Sequence, residues 1–192
     1  MRDRSGREES DVLKGLAAGV VGGLVASFVM NQFQAALSKL MEGEERSHGA
    51  QSLQQGSPQH GIGRELQEEG KDDPDDTAPA RLAQAISVRA FDHELTRSEK
   101  EVAGAALHYA MGATSGALYG AVAEIVPEVK IAEGIPFGAA VWLIADEGIV
   151  PAAGLSKSPA EYPLQIHAYA LASHLVFGLT TEIVRRAVRS AL

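Results

Sequence analysis

Gly15 to Ser38 reads GLAAGVVGGLVASFVMNQFQAALS, 24 residues without a charge, bracketed by Lys14 and Lys39. As a helix rising 1.5 Å per residue it covers about 36 Å, enough for a hydrocarbon core of roughly 30 Å. A secretory signal has a shorter apolar stretch followed by a small-residue cleavage site. Here the apolar run continues through Phe28, Met30 and Phe33, so the segment reads as a retained transmembrane helix over 15–40 behind a short tail, 1–14.

Three further windows follow the same pattern. Val102–Ala123 (VAGAALHYAMGATSGALYGAVA) is free of charge and is preceded by Ser98-x-x-Glu101, the spacing of a capping box. Gly134–Leu155 holds Asp146 and Glu147 near its middle and Pro151 beyond them, which predicts a kinked or broken helix. Tyr162–Val184 contains His167, His174 and Glu182 and ends on Arg185, Arg186 and Arg189. The fold class is therefore all-α, an integral membrane bundle of about four transmembrane helices (15–40, 102–123, 134–155 and 162–184), the last three within 101–192.

Between the first two helices, 41–100 is a polar acidic loop. Its first part has too few apolar groups to bury and reads as disordered. There the run Asp72, Asp73, Asp75 and Asp76 lacks the spacing of a calcium loop and reads as solvated. In 80–91, Leu82, Ala85, Ile86 and Val88 recur at roughly helical spacing and predict a short helix on the surface of membrane or protein.

Composition narrows the function classes. The 192 residues carry a net charge of -8 and no cysteine, which excludes disulfides, thiolate catalysis, iron–sulfur clusters and Cys-based zinc sites. An acidic balance lacks the basic footprint of a nucleic-acid binder. The mean hydropathy of -0.04 hides the blocks into which charges are gathered. Neither a phosphate-binding glycine loop nor a Gly-x-Ser-x-Gly nucleophile elbow occurs, so no motif names an enzyme.

Small residues favour lipid as the solvent. Gly15, Gly19 and Gly23 recur every fourth residue, and Gly104, Gly112, Gly116 and Gly120 share such a row. Interior glycine costs a soluble helix up to about 1 kcal/mol relative to alanine, whereas in a bilayer it lets helices approach closely. The rows are packing faces for a neighbouring helix, in this chain, a second copy or another partner, and the bilayer itself is the principal partner. Arg2, Arg4, Arg7, Lys14, Lys130, Arg185, Arg186 and Arg189 fall on one side of a four-span arrangement, which places both termini in the cytoplasm. Arg89, Arg97 and Lys100 run against that rule.

Charged groups at membrane depth are the informative ones. Asp146 and Glu147 would each cost roughly 2.5–3.5 kcal/mol at a helix centre, more than the nearby apolar residues return at about 0.3–0.6 each. They must be protonated, paired or turned to a polar cavity. Counting rise from the helix starts puts Asp146 and His174 near the midplane, His108 and His167 in the outer half, and Glu182 near the inner boundary. Three readings remain open. His108, Asp146, Glu147, His167, His174 and Glu182 form a proton-responsive cluster suited to acid stress. Alternatively His108, Asp146, Glu147, His167 and His174 ligate a divalent metal, although neither Glu-x-x-His nor His-Glu-x-x-His is present. The third reading is a hydrogen-bonded core that docks the helices. No other cofactor is expected.

The second half resembles the YagU-like bacterial inner-membrane proteins. His108 ahead of Ala123-Glu124-Ile125-Val126-Pro127, then Gly134, Gly138, Pro151 and Gly154-Leu155, then His174-Leu175-Val176 and Glu182-Ile183-Val184-Arg185-Arg186 carry the likeness over 102–189. The resemblance implies a multi-span inner-membrane protein with no established enzymatic activity. It departs at Asp146, where a relative carries His, an interchange that suits a proton-exchanging position at least as well as a ligand.

Overall fold

The computed structural model describes residues 2–41 and 58–192, and all regular structure among them is helical. The helices that carry the apolar windows are α1 (Arg2–Met41), α4 (Arg97–Ile125), α5 (Ile135–Ile144) and α7 (Leu164–Arg189). The other α-helices are α2 (Gly61–Glu68), α3 (Ala78–Phe91) and α6 (Val150–Ala152). The tail expected over 1–14 is helical from Arg2 onward and continuous with the apolar stretch.

Among the described residues two helical stretches are long and apolar enough to cross a bilayer, Asp11–Lys39 and Glu128–Ala152. Of the four expected spans, the first and third are met by these two. α4 and α7 are long enough at 29 and 26 residues, but Gly, Ser, Thr, Tyr and His dilute their apolar content. Only 39% and 22% of the two apolar windows is buried; a core helix of a soluble protein would be mostly covered.

The chain divides into two units, and the division cuts α1, α4, α5 and α7 alike. In the first (1–36, 109–141, 171–192), glycine rows face each other. A Cβ on Gly15, Gly19 or Gly23 would collide with the carbonyl oxygen of Gly120, Gly116 or Gly112, so α1 and α4 cross antiparallel in near backbone contact. α5 and α7 repeat the arrangement, Gly134 against Gly178 and Gly138 against the His174 carbonyl. The rows predicted as packing faces are thus engaged within the chain. Ala26, Met30 and Phe177, with Phe137 and Val141, fill the space left.

The second unit (37–108, 142–170) contains the predicted kink. Pro151 has no N–H and its ring crowds the carbonyl of Glu147, four residues back. The ladder widens to a π turn over Ala145–Ile149, where the Val150 N–H donates to the Ala145 carbonyl. α6 ends in a Schellman cap: Gly154, at φ +69°, donates to Pro151 O and Leu155 to Val150 O, while Leu155 and Val150 are buried in one cluster. The N-terminal N–H groups of Ile62 and Gly63 on α2 donate to the Ala153 and Gly154 carbonyls, so two helix ends satisfy each other.

Most of the polar loop read as disordered and solvated is, over 58–77, ordered and partly buried; 42–57 lies outside the described residues. Asp72 and Arg81 form an ion pair at 2.7 Å with side chains 1% and 0% exposed. Arg81 also donates to the carbonyls of Leu155 and Asp73, and Lys100 pairs with Asp76. Burial raises the Asp72 carboxyl above its usual range although Arg81 beside it pulls the other way. α3 forms close to the expected 80–91, but its covered face is Ala78, Ala80, Arg81, Ala83, Gln84, Ala85 and Ser87, with Ile86 exposed. It packs on protein, Ala80 against Gly104 of α4. The capping box lies two residues before the expected one: the Thr96 N–H donates to the Glu99 carboxylate and the Glu99 N–H to Thr96 Oγ1.

Candidate functional site

The π turn carries Asp146 and Glu147. Asp146 is 4% exposed. Glu147 reaches His167 on α7, its Oε1 2.7 Å from Nδ1. The other ring nitrogen, Nε2, lies 3.1 Å from the Pro159 carbonyl oxygen. Both side chains of the pair are largely covered, at 20% and 14% exposure.

Hydrogen-bond valence constrains this arrangement. His167 faces a carboxylate at one nitrogen and a carbonyl at the other, two acceptors. A neutral imidazole carries one N–H and satisfies one of them. Both contacts are made when the ring is an imidazolium donating to ionised Glu147, or when a protonated Glu147 donates to Nδ1 and the Nε2–H donates to Pro159. In either form the pair holds one proton more than a neutral histidine beside a carboxylate, and its net charge is zero. One added proton makes it a cation in a largely covered site; one lost makes it an anion.

The other expected members are distributed differently. Asp146 and His108 belong to the second unit with Glu147 and His167, whereas His174, buried at 7% exposure, belongs to the first. Among the described residues no three His, Asp or Glu side chains come together as a metal could hold them. Glu182, expected as the inner end of the cluster, is fully buried in an ion network. Arg185 donates to both its oxygens, Nε to Oε2 at 2.7 Å and Nη2 to Oε1 at 3.0 Å, and reaches Glu124 at 3.4 Å. Arg189 bonds Glu124 and Asp11, and Arg186 pairs with Glu133. The spacing Glu182-x-x-Arg185-Arg186 carries that signal in sequence, since residues three and four apart share a helix face. Reasoning from sequence also missed Arg81, and His60, whose Nε2 meets the Pro151 carbonyl at 2.8 Å. No helical spacing marks either one: Arg81 meets Asp72 nine residues back and Leu155 far along the chain, and His60 meets the distant Pro151.

These features define an all-helical protein with two bilayer-length apolar stretches, a hydrogen-bonded histidine–glutamate pair at a π turn and a buried arginine–carboxylate network. The chain belongs to the family described as protein of unknown function DUF1440, whose model matches residues 65–183. No curated protein and no solved structure matches it.

Proposed function

We propose that this is a YagU-like, multi-pass protein of the bacterial inner membrane, with both termini in the cytoplasm, and that it responds to external acid through the His167–Glu147 pair. The observation carrying the reading is the double-acceptor environment of His167. Largely exposed apolar side chains on α1, α4, α5 and α7, among them Phe28, Leu118, Leu143 and Ile183, support a lipid surroundings for all four helices. Uptake of a proton converts a neutral pair into a cation where solvent is scarce, which favours separating His167 from Glu147 and freeing the π turn from the Pro159 segment. The described residues assemble no ligand set that favours the metal reading.

Trp142, the only tryptophan, packs with Ile166, Ala170 and Tyr162, between the π turn and the helix that carries His167. Its fluorescence in lipid nanodiscs reports on the switch. Wild type is expected to show a change in emission on acidification, and Glu147→Gln and His167→Phe are each expected to abolish it. An unaltered transition in both variants excludes the pair as the proton-responsive group.

A further inference from the structure

The segment Gly120-Ala-Val-Ala-Glu124-Ile125-Val126, at the end of α4, is repeated on α7 as Gly178-Leu-Thr-Thr-Glu182-Ile183-Val184. Extending that register backward pairs Tyr119 with Phe177, Ser115 with Ser173, Gly116 with His174, Gly112 with Ala170 and Tyr109 with His167. On the partner helices, Gly15-x-x-x-Gly19 of α1 corresponds to Gly134-x-x-x-Gly138 of α5.

Contacts made independently of this alignment obey it. Gly15 meets Gly120 as Gly134 meets Gly178, and Gly19 meets Gly116 as Gly138 meets His174. The next rung, Gly23 on Gly112, corresponds to Trp142, which packs against the cluster of Ile166 and Ala170. Tyr119 and Phe177 both lie on the ring of Phe137, with centroids 4.3 and 5.9 Å away. The repeated glutamates both bond Arg185, which has no counterpart in the first copy, where the sequence has Pro127. Two antiparallel hairpins running in the same direction are the arrangement of a parallel membrane repeat.

We infer that the chain is a tandem duplication of one helical hairpin, α1–α4 and α5–α7, in which the first copy retains the packing and the second has acquired the ionisable groups. Asp146 stands where the first copy has Ser27, Glu147 where it has Phe28, His167 where it has Tyr109, and His174 where it has Gly116. The buried members correspond in burial as well: Ser27 is 1% exposed and Asp146 4%. Because the first hairpin makes the same crossing with no carboxylate or imidazole at these four places, those groups are not what docks the helices. His108 is the exception, lying in the first copy opposite Ile166, and Glu124 and Glu182 are the carboxylates common to both. The assignment of the second copy as the responsive one rests on the acid-response reading; the duplication does not.

Restoring first-copy residues tests this. Asp146→Ser/His174→Gly leaves the His167–Glu147 pair in place. Full-length protein carrying it is expected to purify from membranes as a monodisperse species with a thermal midpoint within about 4 °C of wild type. As a packing control, Gly19→Leu and Gly138→Leu, at equivalent rungs, are each expected to lower the midpoint by more than about 8 °C. Aggregation of the restored double variant, or a fall in its midpoint as large as that of the leucine variants, overturns the inference, because the ionisable groups would then be docking groups. A leucine tolerated at one rung and not at the other also contradicts the duplication. Adding Glu147→Phe/His167→Tyr separates the two claims. Loss of the Trp142 acid transition supports both, whereas a retained transition in a folded quadruple variant defeats the acid-response reading and leaves the duplication standing.

Discussion

Arg185→Gln is expected to destabilise the protein by about 3–5 kcal/mol, the cost of leaving a buried charge without its partner. Glu182 is 0% exposed and receives two hydrogen bonds from the Arg185 guanidinium. What remains after the substitution is Arg186 at 3.4 Å, whose guanidinium is mostly in solvent and already shared with Glu133. The same change removes one donor from Glu124 and leaves it to Arg189, so α4 and α7 lose a tie. Taking two charges out of water is itself costly, and the double variant Glu182→Gln/Arg185→Gln should therefore recover much of the loss. Denaturant unfolding in detergent measures both. A loss below about 1 kcal/mol for Arg185→Gln would place the pair among surface ion pairs and contradict its burial.

Arg81→Met is the second large effect, again about 3–5 kcal/mol. Arg81 spends its donors on the Asp72 carboxylate and on the carbonyls of Asp73 and Leu155. Loss of the guanidinium strands a carboxylate that is 1% exposed and two carbonyl acceptors from separate segments. Damage should be regional, with 58–91 becoming open to limited proteolysis while the glycine-packed helices stay protected. Asp72→Leu/Arg81→Met replaces both charges by apolar groups and is expected to regain stability over the single variant. Continued protection of 58–91 in Arg81→Met would mean that the arginine does not hold the segment.

What was legible in the sequence depended on how far apart the cooperating residues lie. The charge-free windows around Gly15–Ser38 and Val102–Ala123 mark helices because hydropathy is a property of a continuous stretch. Pro151 announced the break in the third helix, but the π turn depends on where the ladder relaxes, which the proline alone does not dictate. Glycine rows identified packing faces; that they pack on each other follows only from the fold. The polar loop was misread because its ion pairs are tertiary: Asp72 reads as solvated until Arg81 is folded over it. His167 and Glu147 are 20 residues apart, separated by the π turn, α6 and the Pro159–Glu161 turn, so their pairing has no local signature. Glu182 and Arg185, three apart on one helix, did carry a signature.

Histidine-selective 15N NMR of the protein in nanodiscs, with His167 assigned by substitution, examines the proton-holding pair directly. His167 is expected to show both ring nitrogens engaged, Nδ1 with Glu147 and Nε2 with a carbonyl, and Glu147→Gln to change that pattern. A neutral His167 tautomer that is the same in wild type and Glu147→Gln would contradict that expectation.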